Sequence, residues 1–116
     1  MSVTAPDFTK APPRQGRHRL GSYAWLARAA DKVRAEQAGT GSDYIAYCGL
    51  TRGFLERCAV ARDDFDALIA SGADDDALVA YFDRHVTPEC RDAANRFVLE
   101  EKAESLDRQD AEEGYR

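Results

Sequence analysis

The placement of proline constrains this chain most. Three of its four prolines, Pro6, Pro12 and Pro13, fall within residues 1–19, and the fourth, Pro88, follows Thr87. Proline disfavours helix at the residue before it and lacks the amide that a helix interior needs. Residues 1–19 are therefore expected as an extended or polyproline-like arm, with Phe8 as the apolar anchor that docks it. Pro88 stands where proline is tolerated, at a first helical position between a capping threonine and Glu89.

Between the prolines the apolar spacing is helical. Tyr23, Leu26, Ala27, Ala30, Val33 and Arg34 recur at helical intervals behind Ser22 as the N-cap, and Gly39 and Gly41 close the helix. Trp25 lies off that stripe beside Arg28, Ala29 and Lys32, so the helix shows apolar surface on more than one face, as a central helix does. Tyr44-Ile45-Ala46-Tyr47 has strand-like composition but is too short for a sheet, which predicts a structured loop or a minimal ribbon.

Three short helices follow. The first is capped by Thr51 with Phe54, Leu55 and Cys58 inward, and the second opens near Asp63 with Phe65, Leu68 and Ile69 inward. The third is capped by Asp74 with Leu78, Tyr81, Phe82 and His85 inward. The Asp74-Asp75-Asp76 run lacks the alternating ligand spacing of a calcium loop and reads as first-turn acids opposing a helix dipole. The last helix, from Thr87-Pro88-Glu89, buries Ala94, Phe97 and Val98 and then turns to charge. The expectation is a compact all-α domain of about five helices over residues 20–110, an arm over 1–19 packed on it, and a frayed tail over 111–116.

With 116 residues, 44% of them hydrophobic, the chain can bury a core without disulfide or metal staples. No apolar run approaches the roughly 18–20 residues of a membrane span. The first residues lack the apolar stretch of a secretion signal, so a cytoplasmic location is expected.

Charge is unevenly divided. Residues 1–42 carry seven Lys/Arg against three acids, for +4, while residues 43–116 carry nine against eighteen, for −9. A basic first third either grips an anion or lies over its own acidic remainder, and the net −5 argues against bulk nucleic-acid binding. Cys48, Cys58 and Cys90 form no C-x-x-C pair, and with His18 and His85 they show no metal-ligand spacing. No metal or cofactor is expected, and buried free thiols fit a reducing compartment.

No P-loop, dinucleotide glycine pattern, nucleophile elbow or H-E-x-x-H motif is present. The residues with chemistry gather instead in the arm, the first helix and the tyrosine loop: Arg14, Arg17, Arg19, Trp25, Arg28, Asp31, Lys32, Tyr44, Tyr47 and Cys48. Arginine forks and tyrosine hydroxyls can hold a carboxylate or phosphate against an apolar wall. The other reading of the same residues is internal neutralisation of the arginines by Asp31, with Trp25 and the tyrosines filling the core.

These stretches also carry a resemblance. Asp7-Phe8-Thr9-Lys10-Ala11-Pro12-Pro13-Arg14, Leu20-Gly21, residues 26–35, Gly39-Thr40, Tyr44-Ile45-Ala46-Tyr47-Cys48, Leu50 and Phe54-Leu55 resemble a small bacterial family classed as a domain of unknown function, DUF5069. The match spans about residues 7–58, and the chain departs from the family pattern at Gly16, where the family favours proline, and at Thr51, where it favours an acid. The resemblance implies a small, mostly helical single domain and no particular activity.

Three function classes follow. The first is a non-enzymatic module that binds a small anionic ligand or a protein partner, with Arg14, Arg17 and Arg28 as donors, Asp31 orienting them, and Trp25 or Tyr47 as the apolar contact. The second is an enzyme using Cys48 as nucleophile, with His18 the one histidine outside a predicted helix. The third is a ligand-free structural homodimer, which requires an exposed apolar patch.

Overall fold

The computed structural model describes residues 3–115. Among them are six α-helices and no strand: α1 Leu26–Ala38, α2 Gly49–Cys58, α3 Arg62–Ala70, α4 Asp75–His85, α5 Pro88–Arg96 and α6 Ala103–Glu113. The predicted last helix is two, because a π-helical turn over Phe97–Glu101 interrupts it. That turn lets Phe97 and Val98 stay buried while the chain beyond turns toward the arm.

α1 is the central element. Every residue from Leu26 to Ala35 is buried, the charged Arg28, Asp31, Lys32 and Arg34 included. α1 packs on α3, and α2 packs on α5. The aromatic core between them joins Tyr23, Phe54, Phe65 and Phe82, with ring centroids 5.4–6.1 Å from that of Phe82.

The predicted caps hold in part. Asp74 accepts from the Ala77 amide at 2.8 Å and Thr87 from the Cys90 amide at 3.1 Å. Ser22 does not cap α1. Gly21 at φ +59 and a Leu20–Tyr23 bridge fold residues 20–23 into a tight turn instead. α1 therefore begins after Trp25, which itself has φ +74. A left-handed tryptophan is strained by roughly 1–3 kcal/mol. It is held by its amide on the Gly16 carbonyl at 2.8 Å and its indole N–H on Thr51 Oγ1 at 3.1 Å. Thr51 is thereby a buried partner inside α2, and the N-cap of that helix is Cys48. His85 is exposed rather than inward, lying on the Tyr81 ring with centroids 4.3 Å apart.

The arm lies on this body. The Phe8 amide donates to the Thr40 carbonyl at 3.0 Å, and its buried ring meets Tyr44 edge-on at 4.9 Å. At Gly16 an added Cβ would stand 2.6 Å from Leu106 and 2.8 Å from Trp25, so the arm crosses there only without a side chain. Residues 111–115, within the stretch where fraying is predicted, are helical to Glu113 and make specific contacts beyond it. α6 runs to Glu113, Gly114 closes it at φ +82, and the Tyr115 hydroxyl donates to the Pro13 carbonyl at 2.8 Å. No helix among the described residues is long and apolar enough to cross a membrane.

Candidate functional site

Helical spacing puts Arg28, Asp31, Lys32 and Arg34 into the buried part of a helix. A buried cation must then find a partner or leave a desolvated charge. Two of the three buried cations of α1 find carboxylates. Arg28 makes a two-pronged pair with Glu113, at 2.8 and 2.6 Å, with side chains 3% and 7% exposed. Arg34 donates to Asp75 and to the Ala73 carbonyl, each at 3.0 Å.

The arm's arginines are satisfied in the same way. Arg14 spans Asp31 and Asp75, its Nη2 2.9 Å from Asp31 Oδ1 and its Nη1 2.9 Å from Asp75 Oδ2. Burial alone would lower the Arg14 pKa, but these two carboxylates raise it above the ordinary value. Burial would likewise raise Asp75, and the hydrogen bonds and charges of Arg14 and Arg34 hold it below the usual carboxylate value. Arg17 reaches Asp107 at 2.8 Å and Asp110 at 3.2 Å on α6. The donors expected for an external anion thus go to the chain's own acids, and Asp31 orients Arg14 only.

Trp25 and Tyr47 are not ligand-facing either. Trp25 is fully buried and presents its ring to Arg28 and Lys32, 5.5 and 5.6 Å from its centroid. Such cation–π contacts soften the burial of both charges. The Tyr47 hydroxyl donates to Asp66, and burial with that carboxylate beside it raises the phenol pKa above its ordinary value.

Lys32 is the buried cation without a carboxylate among the described residues. Its Nζ lies 3.3 Å from Cys48 Sγ. Burial lowers the ammonium pKa below the usual lysine value, against an opposing pull from Cys48. Cys48 is half-buried at the N-terminus of α2, with Thr51 Oγ1 3.6 Å from its sulfur. Burial pushes this thiol up, but the Lys32 charge and hydrogen bonds from Thr51 and Lys32 outweigh it and hold the pKa below the usual thiol value.

The pair opens on a cleft of about 380 Å³ lined by Arg28, Lys32, Tyr44, Ile45, Cys48 and Gln109, with Asp43, Glu112 and Glu113. Two polar atoms of residues on its lining, Arg28 Nε and Gln109 Oε1, are buried without a hydrogen-bond partner among the described residues. Ile45, 68% exposed, is the one large exposed hydrophobic side chain among the described residues. Its lining holds neither histidine, and His18 is exposed. A larger cleft of about 480 Å³ between α3 and α4 offers only the exposed Asp74 and Arg84 as charged groups.

The structure therefore brings together Arg28, Tyr44 and Cys48 from the expected set and leaves Arg14, Arg17, Trp25, Asp31 and Tyr47 outside the cleft. Tyr44 donates to Glu113 at 3.0 Å, closing the Arg28 pair. Glu113 and Gln109 carried no signal in the sequence. They reach the site through the π-helical turn, which no local pattern marks. No group of three or more His, Cys, Asp or Glu among the described residues could hold a metal ion.

Comparison with protein families matches residues 10–116 to the domain of unknown function DUF5069, and the chain belongs to that family. Comparison with curated proteins gave no match.

Proposed function

We propose that this DUF5069 protein is a non-enzymatic binding module whose cleft takes a small ligand carrying one acidic group. The single observation that supports this is Lys32, a buried ammonium on the cleft wall with no carboxylate partner among the described residues, while Arg28 and Arg34 beside it have theirs. A buried charge is costly unless paired, so a carboxylate or phosphate oxygen arriving at Lys32 gains more than it would at an exposed lysine. Arg28 Nε and Gln109 Oε1 supply unused polar contacts, and Tyr44 with Ile45 supplies apolar surface. The volume lies at the lower end of small-molecule pockets, about 300–1,000 Å³. Asp43 and Glu112 on the same lining repel a polyanion, which favours a ligand with a single acidic group and disfavours nucleic acid.

The test is a thermal-shift panel of small monocarboxylates and phosphomonoesters on wild type and Lys32→Met. A compound that raises Tm of the wild type and leaves the variant unmoved is the expected result. A panel with no such compound, or one whose hits shift both proteins equally, would sink the reading.

A further inference from the structure

Cys48 Sγ is the one hydrogen-bond partner of Lys32 Nζ among the described residues. The sulfur sits at the N-terminus of a ten-residue helix, 3.3 Å from the amine and beside the Thr51 hydroxyl. Arg28 lines the same cleft, and its Nε is buried without a hydrogen-bond partner among the described residues, which leaves donor capacity beside the pair. The other thiol of this helix is out of reach. Cys58 closes the far end of α2, about 15 Å away at 1.5 Å per residue. It is fully buried, and burial with Cys90 nearby pushes its thiol up to about 12.

We propose that Cys48 and Lys32 form a peroxide-responsive pair, in which the oxidised sulfur is captured by the lysine amine as a sulfur–nitrogen cross-link. The Cys48 thiolate attacks one peroxide oxygen, the O–O bond breaks, and the departing hydroxide takes a proton to leave as water. Sulfur is oxidised by two electrons to a sulfenic acid and the peroxide is reduced. Loss of the thiolate removes the charge that favours the ammonium, so the buried Lys32 gives up its proton more readily. The amine lone pair then attacks Sγ, the S–O bond breaks, and the hydroxyl leaves as water with a proton from nitrogen. One thiol, one amine and one peroxide give one sulfenamide and two waters. The step needs only the Lys32–Cys48 contact and is independent of the ligand reading above.

The experiment treats the reduced full chain with stoichiometric hydrogen peroxide and measures intact mass. Digestion then follows under non-reducing conditions, with a protease that cuts at acidic residues. The expected product has lost two hydrogens, and the peptide holding Cys48 is joined to the one holding Lys32. A thiol reductant reverses it. In Lys32→Met the reaction stops at the sulfenic acid, which a cyclic 1,3-diketone traps. Three outcomes overturn the proposal, the first and last read from the wild-type peptide map and the second from trapping in both proteins. Cys48 stays unmodified, wild-type Cys48 is trapped as completely as in the variant, or the lost hydrogens map to a Cys58–Cys90 disulfide.

Discussion

Two sets of cations lie within one helix of this protein and end differently. Arg28 and Arg34 are closed by Glu113 and Asp75, from α6 and α4, while Lys32 between them meets a cysteine and a cleft. An arginine fork suits a carboxylate, and each of these two carboxylates also takes a second donor, Tyr44 or Arg14. Lysine is a point charge that yields its proton when buried, so a lone lysine on a cleft wall can serve proton or amine chemistry where an arginine cannot. The contrast teaches that a basic stripe in the sequence is two things in the fold. One part ties the chain's ends to its centre, and the other is left open.

The largest effect should come from the closed part. Glu113→Ala leaves Arg28 buried and unpaired, which is expected to cost about 3–5 kcal/mol in denaturant unfolding. The double variant Arg28→Met/Glu113→Leu should recover most of that loss, since an apolar pair of similar volume often replaces a buried ion pair without penalty. A Glu113→Ala cost below about 1 kcal/mol would mean that α6 is no structural clasp, and the comparison would collapse.

Asp75 should give the next effect, smaller because its side chain is 36% exposed. Asp75→Asn is expected to cost about 1–2 kcal/mol at neutral pH after allowance for solvent screening. The sign with pH follows from its lowered pKa. The charged form is favoured by folding, so the contribution is full above the ordinary value of about 3.9 and is lost as pH falls through the lower folded value. Wild type and variant should therefore converge in strong acid. A gap that stays constant on acidification would show that Asp75 acts by packing and not by charge.

The smallest stability effect should come from Lys32. Lys32→Met is expected to change unfolding free energy by less than about 1 kcal/mol, because it removes a buried charge that no carboxylate compensates. The same substitution should move the pH midpoint of Cys48 alkylation upward, since the ammonium is what lowers that thiol. A large loss of stability, with the alkylation profile unmoved, would place Lys32 with the arginines.

Some of this was legible from residue order alone. Pro88 behind Thr87, Asp74 ahead of Ala77, and the apolar intervals of residues 26–35 are local rules, and the helices follow them. Two starts were misread for a reason that is not local. Ser22 and Thr51 are good caps by type, but the Gly21 turn and the indole of Trp25 claim those positions for tertiary contacts. The single helix expected after Pro88 breaks at Phe97–Glu101 because burying Phe97 and Val98 outweighs regular hydrogen bonding there.

The sequence by itself determined the helical class, the extended arm and the gathering of positive charge in the first third, because periodicity, proline and composition act between near neighbours. Which cation is paired was decided only by tertiary structure. Glu113 stands 85 residues from Arg28 and Asp75 stands 41 from Arg34, and electrostatic closure acts through space. Lys32 is left over because no acid among the described residues closes to ion-pair distance of it, although Asp43, Glu112 and Glu113 line the same cleft.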